Sequence, residues 1–151
     1  NFKRTFETQA GGGDTLRNLS QGAILDLSLD SVRNRLEWLM AKPERVTDEM
    51  VEARFKLYSN PEINKSMRNM YGLGGYPMTV KRYEEEECQN FTPKCLVFWT
   101  DSNPGQGPDV GEHLASLIPN SEHYCMHDSA HWPHWEHPVE HDNVVLEFLA
   151  K

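Results

Sequence analysis

Apolar residues recur with two different periods along this chain, and the change of period divides it. Between residues 30 and 71 the spacing is helical. Val32, Leu36, Leu39 and Met40 form one stripe, with Asp30 or Ser31 as its cap and Lys42-Pro43 as its stop. Thr47 caps a second helix, with Asp48 and Glu49 in the first turn, where the helix dipole favours acid; its apolar positions are Met50, Val51, Phe55 and Tyr58. Asn60-Pro61 opens a third, whose stripe is Ile63, Met67, Met70 and Tyr71. Ahead of these helices, residues 1–29 carry the run Gly11-Gly12-Gly13 and are expected to form a loop. Residues 72–93, glycine-rich and then acidic from Glu84 to Glu87, are expected to be a connection to another layer.

The period then changes. Cys95-Leu96-Val97-Phe98-Trp99 is a continuous apolar run, the pattern of a parallel strand buried on both faces. A Pro/Gly loop from Asp101 to Pro108 follows, then a helix capped by Asp109 with Val110, Leu114 and Leu117 on one face. Glu122 to Met126 predicts a second strand, and Val144, Val145, Phe148 and Leu149 a last helix. The strand–helix–strand–helix rhythm indicates α/β architecture. Two strands do not make a stable open sheet, so the sheet requires strands beyond these two.

Composition narrows the function classes. The 151 residues, 38% apolar with four Trp, six Phe and five Tyr, can bury a core, so disorder is excluded. A net charge of −8 repels phosphate backbones and anionic lipid, which argues against nucleic acid and membrane surfaces as partners. No apolar run approaches the roughly 20 residues of a spanning helix. Cys88, Cys95 and Cys125 are odd in number and lack a CxxC pair, as expected of reduced thiols in a cytoplasmic protein. Asn1-Phe2-Lys3-Arg4 is followed by no apolar signal region, and the absence of an initiator Met predicts a first residue internal to a longer product.

Reactive groups in open α/β sheets sit beyond the carboxyl ends of the strands. Two loops qualify: Thr100-Asp101-Ser102-Asn103-Pro104 after the first strand, and His127-Asp128-Ser129-Ala130-His131-Trp132 after the second. An acid from one can orient an imidazole from the other, which is half of a nucleophile–His–acid arrangement. All seven histidines lie between residues 113 and 141, so a metal site must be weighed. His131, His134, His137 and His141 are candidate ligands, but Pro133 and Pro138 prevent one helix from aligning them, and neither Cys nor an HExxH motif accompanies them. No metal is expected.

The stretch Ser129-Ala130-His131-Trp132-Pro133-His134-Trp135-Glu136-His137-Pro138 resembles the meta-cleavage-product hydrolases, α/β-hydrolases that cut a carbon–carbon bond in ring-fission products of aromatic catabolism. Their catalytic His stands in a similar Gly-His-Trp-x-x-Trp-Glu-His-Pro stretch, with Ala130 here in place of Gly. Val97-Phe98-Trp99, the helix from Asp109 to Pro119, Leu36-Glu37-Trp38-Leu39-Met40, Val46-Thr47-Asp48-Glu49, Arg54 and Tyr58-Ser59-Asn60-Pro61-Glu62 extend the resemblance over nearly all of the chain after residue 30. It implies an α/β fold, specifically the C-terminal portion of an α/β-hydrolase with a helical lid: residues 1–27 leave the hydrolase core, 28–83 form the lid, and 84–151 return to the core. It also implies three roles. His131 falls on the catalytic base, Trp132 on a substrate-packing residue, and Arg54 on a lid arginine that binds the dienoate carboxylate. No cofactor is implied.

Two departures qualify the resemblance. The family's triad acid aligns without gaps to Asn103; Asp101, two residues earlier, has the acid chemistry if Pro104 and Gly105 rebuild the loop. No Gly-x-Ser-x-Gly nucleophile elbow exists in the chain. The expected partner is therefore an N-terminal hydrolase half carrying the Ser, as a separate chain or a cleaved segment; homo-oligomerisation is left open. The expected reaction is hydrolysis of a small-molecule 2-hydroxy-6-oxo-dienoate. The alternatives are an ester or lactone hydrolase of the same fold and a non-catalytic module that binds a ligand.

Overall fold

The computed structural model describes residues 12–73 and 84–151. These residues fall into two compact units, 12–73 and 84–151.

The first unit is helical. Helix α1 (Gly12–Leu25) occupies the segment expected to be loop. The glycine run obscured a helical stripe: Leu16, Leu19, Ala23 and Ile24 follow the 3.6-residue period, and Ala23 and Ile24 are fully buried. Helix α2 (Leu29–Leu39) starts earlier than its expected cap, because Ser28 rather than Asp30 or Ser31 holds that position. The Ser28 hydroxyl accepts the Ser31 N–H at 3.1 Å, and the Ser31 hydroxyl accepts the Ser28 N–H at 3.0 Å. A 3₁₀ turn over Pro43–Arg45 follows. Thr47 caps α3 (Asp48–Tyr58), its hydroxyl accepting the Met50 N–H at 3.2 Å. Asn60 caps α4 (Pro61–Met70) through Glu62 N and Ile63 N.

The expected stripes of α2 and α3 meet in one core of Val32, Leu36, Leu39, Met40, Met50, Val51 and Tyr58, joined by Ile24 of α1. The α4 stripe is shallower: Met70 is exposed and its other members are half-buried. Polar ties link α4 to the rest. Asn64 Nδ2 donates to the carbonyls of Ile24 and Tyr58, and Arg68 Nε donates to Asn64 Oδ1 at 2.7 Å.

The second unit opens with α5 (Glu85–Gln89), a short helix inside the stretch expected to be a connection; Glu87 folds back to accept the Glu84 N–H. Residues 74–83 of that stretch lie outside the described residues. Strands β1 (Cys95–Thr100) and β2 (Ser121–Met126) pair in parallel, from Cys95 opposite Ser121 to Thr100 opposite Met126. Helix α6 (Pro108–Leu117) makes the crossover. Its N-cap is Gly107, which offers no side-chain cap; Asp109 is the second residue of the helix rather than its cap, and its carboxylate still lies in the first turn, at the favourable end of the dipole. Short α7 (Pro133–Glu136) and α8 (Pro138–Leu149) complete the unit.

Strand β1 is less buried than its apolar run suggested. Val97 and Thr100 are buried, while Leu96, Phe98 and Trp99 are half-buried, because the described residues supply one neighbouring strand only. Val97, Ile118 and Cys88 form a small core with Trp99, Leu114 and Leu117. The three cysteines are free thiols, and burial raises Cys88 and Cys125 above the usual thiol range. No described helix is long and apolar enough to cross a membrane.

Candidate functional site

The carboxyl ends of β1 and β2 bring two loops side by side, and backbone chemistry laces them together. Asp101 N donates to Met126 O and Ser102 N to Ser129 O, each at 3.0 Å. The buried Thr100 hydroxyl donates to Ala130 O at 2.7 Å. These bonds hold the segment leading into His131 against the end of β1. Asp128 takes a left-handed backbone (φ 51°), a conformation that short Asx side chains tolerate.

Asp101 and Asn103 occupy this junction in different ways. The Asp101 carboxylate accepts from Asp128 N at 3.1 Å, Ser129 N at 3.4 Å and the Ser102 hydroxyl at 3.0 Å, and lies 3.2 Å from His127 Nδ1. Partial burial alone would raise its pKa. The bonds from Asp128 N–H, the Ser102 hydroxyl, Ser129 N–H and His127 outweigh that and hold it below the ordinary carboxylate range. Its neighbour in the second loop is therefore His127 and not His131.

Asn103 is the side chain that reaches His131, with Oδ1 3.0 Å from Nδ1. Its amide orientation follows from its other contact. Nδ2 lies 3.1 Å from the Gln106 carbonyl, which can only accept, so Nδ2 points there and Oδ1 points at the imidazole. With Oδ1 facing it, Nδ1 is the ring nitrogen placed to donate, which in a neutral ring leaves the lone pair on Nε2. This is the tautomer of a general base, held by a neutral amide rather than by a carboxylate.

The rest of the motif shapes the loop. Trp132 stands directly before α7, half-buried, its ring 6.2 Å from that of His134. Glu136 has a role that its place in the motif did not reveal: its carboxylate accepts from Ala130 N at 2.6 Å and lies 3.5 Å from the Ser129 hydroxyl. His137 Nε2 donates to the Asp128 carbonyl at 2.9 Å, His141 Nδ1 lies 2.9 Å from Asp142 Oδ1, and the His134 and His141 rings meet edge to face. Among the described residues no group of three or more His, Cys, Asp or Glu side chains is arranged to hold a metal ion.

Arg54 belongs to the helical unit. It sits on α3, half-buried, with its guanidinium 5.8 Å from the Tyr58 ring one turn on.

Adjacent parallel strands whose following loops pair an imidazole with an orienting side chain, preceded by a helical unit, define a C-terminal portion of the α/β-hydrolase fold. No family model matches the chain. Its sequence relatives carry the names of meta-cleavage-product hydrolases, and its structural neighbours include solved members of that family as well as a thermophilic esterase from Thermogutta terrifontis, 16% identical with a TM-score of 0.63, covering 97% of this chain and 53% of the other. It is similar to a Pseudomonas sp. protein named 2-hydroxy-6-oxononadienedioate/2-hydroxy-6-oxononatrienedioate hydrolase, 23% identical over 135 residues, covering 88% of this chain and 46% of the relative. It is similar to the 2-hydroxy-6-oxo-6-phenylhexa-2,4-dienoate hydrolase of Delftia acidovorans, 25% identical over 125 residues, covering 82% of this chain and 42% of that one. The solved structure of a hydrolase of the latter name from Rhodococcus sp. strain RHA1 superposes with a TM-score of 0.72 at 18% identity, covering 88% of this chain and 49% of the other. The chain thus spans under half the length of the curated relatives it matches.

Proposed function

We propose that this chain is the C-terminal part of a cytoplasmic hydrolase that cleaves a carbon–carbon bond in a 2-hydroxy-6-oxo-dienoate. The observation that carries the reading is the His131–Asn103 pair, 3.0 Å apart on adjacent loops beyond the carboxyl ends of two parallel strands. His131 is the group that moves protons. The dienol first ketonises; then water, or a Ser activated by Nε2, attacks the remote carbonyl, and the neighbouring carbon–carbon bond breaks to give a carboxylic acid and a dienoate. Arg54 anchors the substrate carboxylate from the lid, which is the helical unit, and Trp132 packs against the substrate. The nucleophile comes from an N-terminal hydrolase half, as a separate chain or as upstream polypeptide. Support for that half is the relatives' length, about twice this chain's, together with apolar residues that α8 leaves in water: Val139 is 74% exposed and Leu149 70%.

A neutral amide orients an imidazole but stabilises the imidazolium less than a carboxylate does, since a hydrogen bond to a charged partner is worth about 1.5–3 kcal/mol against about 1 for a neutral one. Because Asn103 and not Asp101 faces the His131 ring, Asn103→Ala in the intact enzyme should cost more turnover than Asp101→Asn. The test of the whole reading follows loss of the dienoate chromophore by the intact protein and by the 151-residue chain alone. We expect turnover by the first only. Hydrolysis by the isolated chain, or turnover of simple esters with none of the dienoate, would overturn the reading.

A further inference from the structure

Trp99 lies on β1 with its indole against the backbone of α6. A β-carbon added to Gly111 would come within 2.6 Å of the Trp99 ring, so glycine there lets helix and indole meet, and the helix backbone fixes the plane of the ring. The indole Nε1–H donates to the Gln106 carbonyl at 3.3 Å. The same carbonyl accepts from Asn103 Nδ2 at 3.1 Å, and Asn103 Oδ1 faces His131 Nδ1 at 3.0 Å. We infer that Trp99 is a positioning residue for His131, acting through the Gln106 carbonyl and the Asn103 amide to hold the imidazole in its Nδ1–H tautomer.

The reason lies in the two faces of an amide. A carboxylate offers an acceptor whichever way it turns. An asparagine turned over would present Nδ2 to the ring, donate to Nδ1 and place the proton on Nε2, which leaves that nitrogen without the lone pair a base requires. With Asn at this place, something must choose the face. The Gln106 carbonyl does so because it only accepts. Its own position depends on an irregular loop over residues 101–107 that turns through Gly105 in the left-handed region (φ 88°). The indole N–H ties that carbonyl back to the strand, so the rigid contact of Trp99 with Gly111 is passed on to the imidazole. The consequence for turnover rests on the reading of His131 as the base; the tautomer itself does not.

The experiment is ¹⁵N NMR of the imidazole nitrogens in the intact protein labelled at histidine, with the His131 signals assigned by their loss in His131→Gln. The Nδ1–H form should dominate in the unaltered protein. Trp99→Phe keeps an aromatic ring near Gly111 and deletes the N–H; it should shift the tautomer ratio several-fold toward Nε2–H. It should also lower kcat about 2- to 10-fold with KM unchanged, the range expected for one neutral hydrogen bond. Benzothienylalanine in place of Trp99 retains the ring volume without the N–H and should reproduce both effects, which covers the case of a poorly folded Phe variant. In an Asn103→Ala background neither replacement should change the tautomer further. An unchanged ratio in both Trp99 replacements, or an equal shift persisting without the Asn103 amide, would overturn the inference. A shifted tautomer in a protein that does not turn over the dienoate would leave the positioning role standing and remove the hydrolase reading alone.

Discussion

The helical unit closes its own core, whereas the unit that carries the candidate site does not. In the first, Ile24, Val32, Leu36, Val51 and Tyr58 are each at most 2% exposed, and the helices are capped by Ser28, Thr47 and Asn60. In the second, a two-stranded sheet is covered by α6, while α8 presents Val139, Leu146 and Leu149 to water. Yet the second unit holds the denser polar network, with Asp101, Thr100, Asn103 and Glu136 all spent on two loops. Apolar burial supplies most of the stability of a small unit, and polar networks supply geometry. One unit thus closes on apolar burial, and the other fixes its loops by polar bonds beside an apolar helix face left in water.

The largest expected effect tests where the chemistry lies. His131→Ala in the intact enzyme should lower kcat by about 10²–10⁴-fold or more, as loss of a general base does, without a change in melting temperature, since His131 is exposed. His134→Ala and His137→Ala should cost far less. Comparable losses at all three, restored by added zinc, would replace the base with a metal site.

The contrast in core closure predicts a contrast in stability. Leu36→Ala should destabilise the intact protein by about 2–5 kcal/mol in chemical denaturation, the range for a fully buried leucine. Leu149→Ala should cost about 1–3 kcal/mol only if upstream polypeptide covers α8, the worth of burying a leucine against leaving it in water. We expect that cost; a change below about 0.5 kcal/mol would mean that the face stays solvated.

Arg54→Ala should weaken dienoate binding by about 1.5–3 kcal/mol, the worth of a charge-assisted bond to a carboxylate, and leave a neutral ester almost untouched. Equal losses for both substrates would assign Arg54 to its contact with the Tyr58 ring one turn along α3.

The smallest effect separates the two side chains that competed for one role. The Asp101 carboxyl is held below its unfolded value, so its contribution to stability is fully present above about pH 4 and is lost as the pH falls through the depressed value. Melting temperature measured across that acid range should therefore fall less steeply in Asp101→Asn than in the unaltered protein. An identical slope would mean that the bonds to Asp128 and Ser129 do not bear on folding.

Much of this was legible before any coordinates. The 3.6-residue period with its caps placed α2, α3, α4, α6 and α8, because amphipathic burial imposes that spacing on a surface helix, and a continuous apolar run placed β1. The loop after each parallel strand marked where an acid and an imidazole could meet, and the resemblance to the meta-cleavage-product hydrolases singled out His131 there, with Asn103 and Asp101 as its two possible partners. The glycine run masks the stripe of helix α1 in the sequence, and the α2 cap, Ser28, lies two residues upstream of Asp30, the first of the expected pair. What residue types could not decide was the partner of His131. Asp101 and Asn103 lie two positions apart in one irregular loop, and no periodicity governs which of them faces a ring contributed by another strand. That choice belongs to the tertiary structure: the N–H groups of Asp128 and Ser129 draw in the carboxylate, the Gln106 carbonyl turns the amide, and only then does Asn103 meet the imidazole.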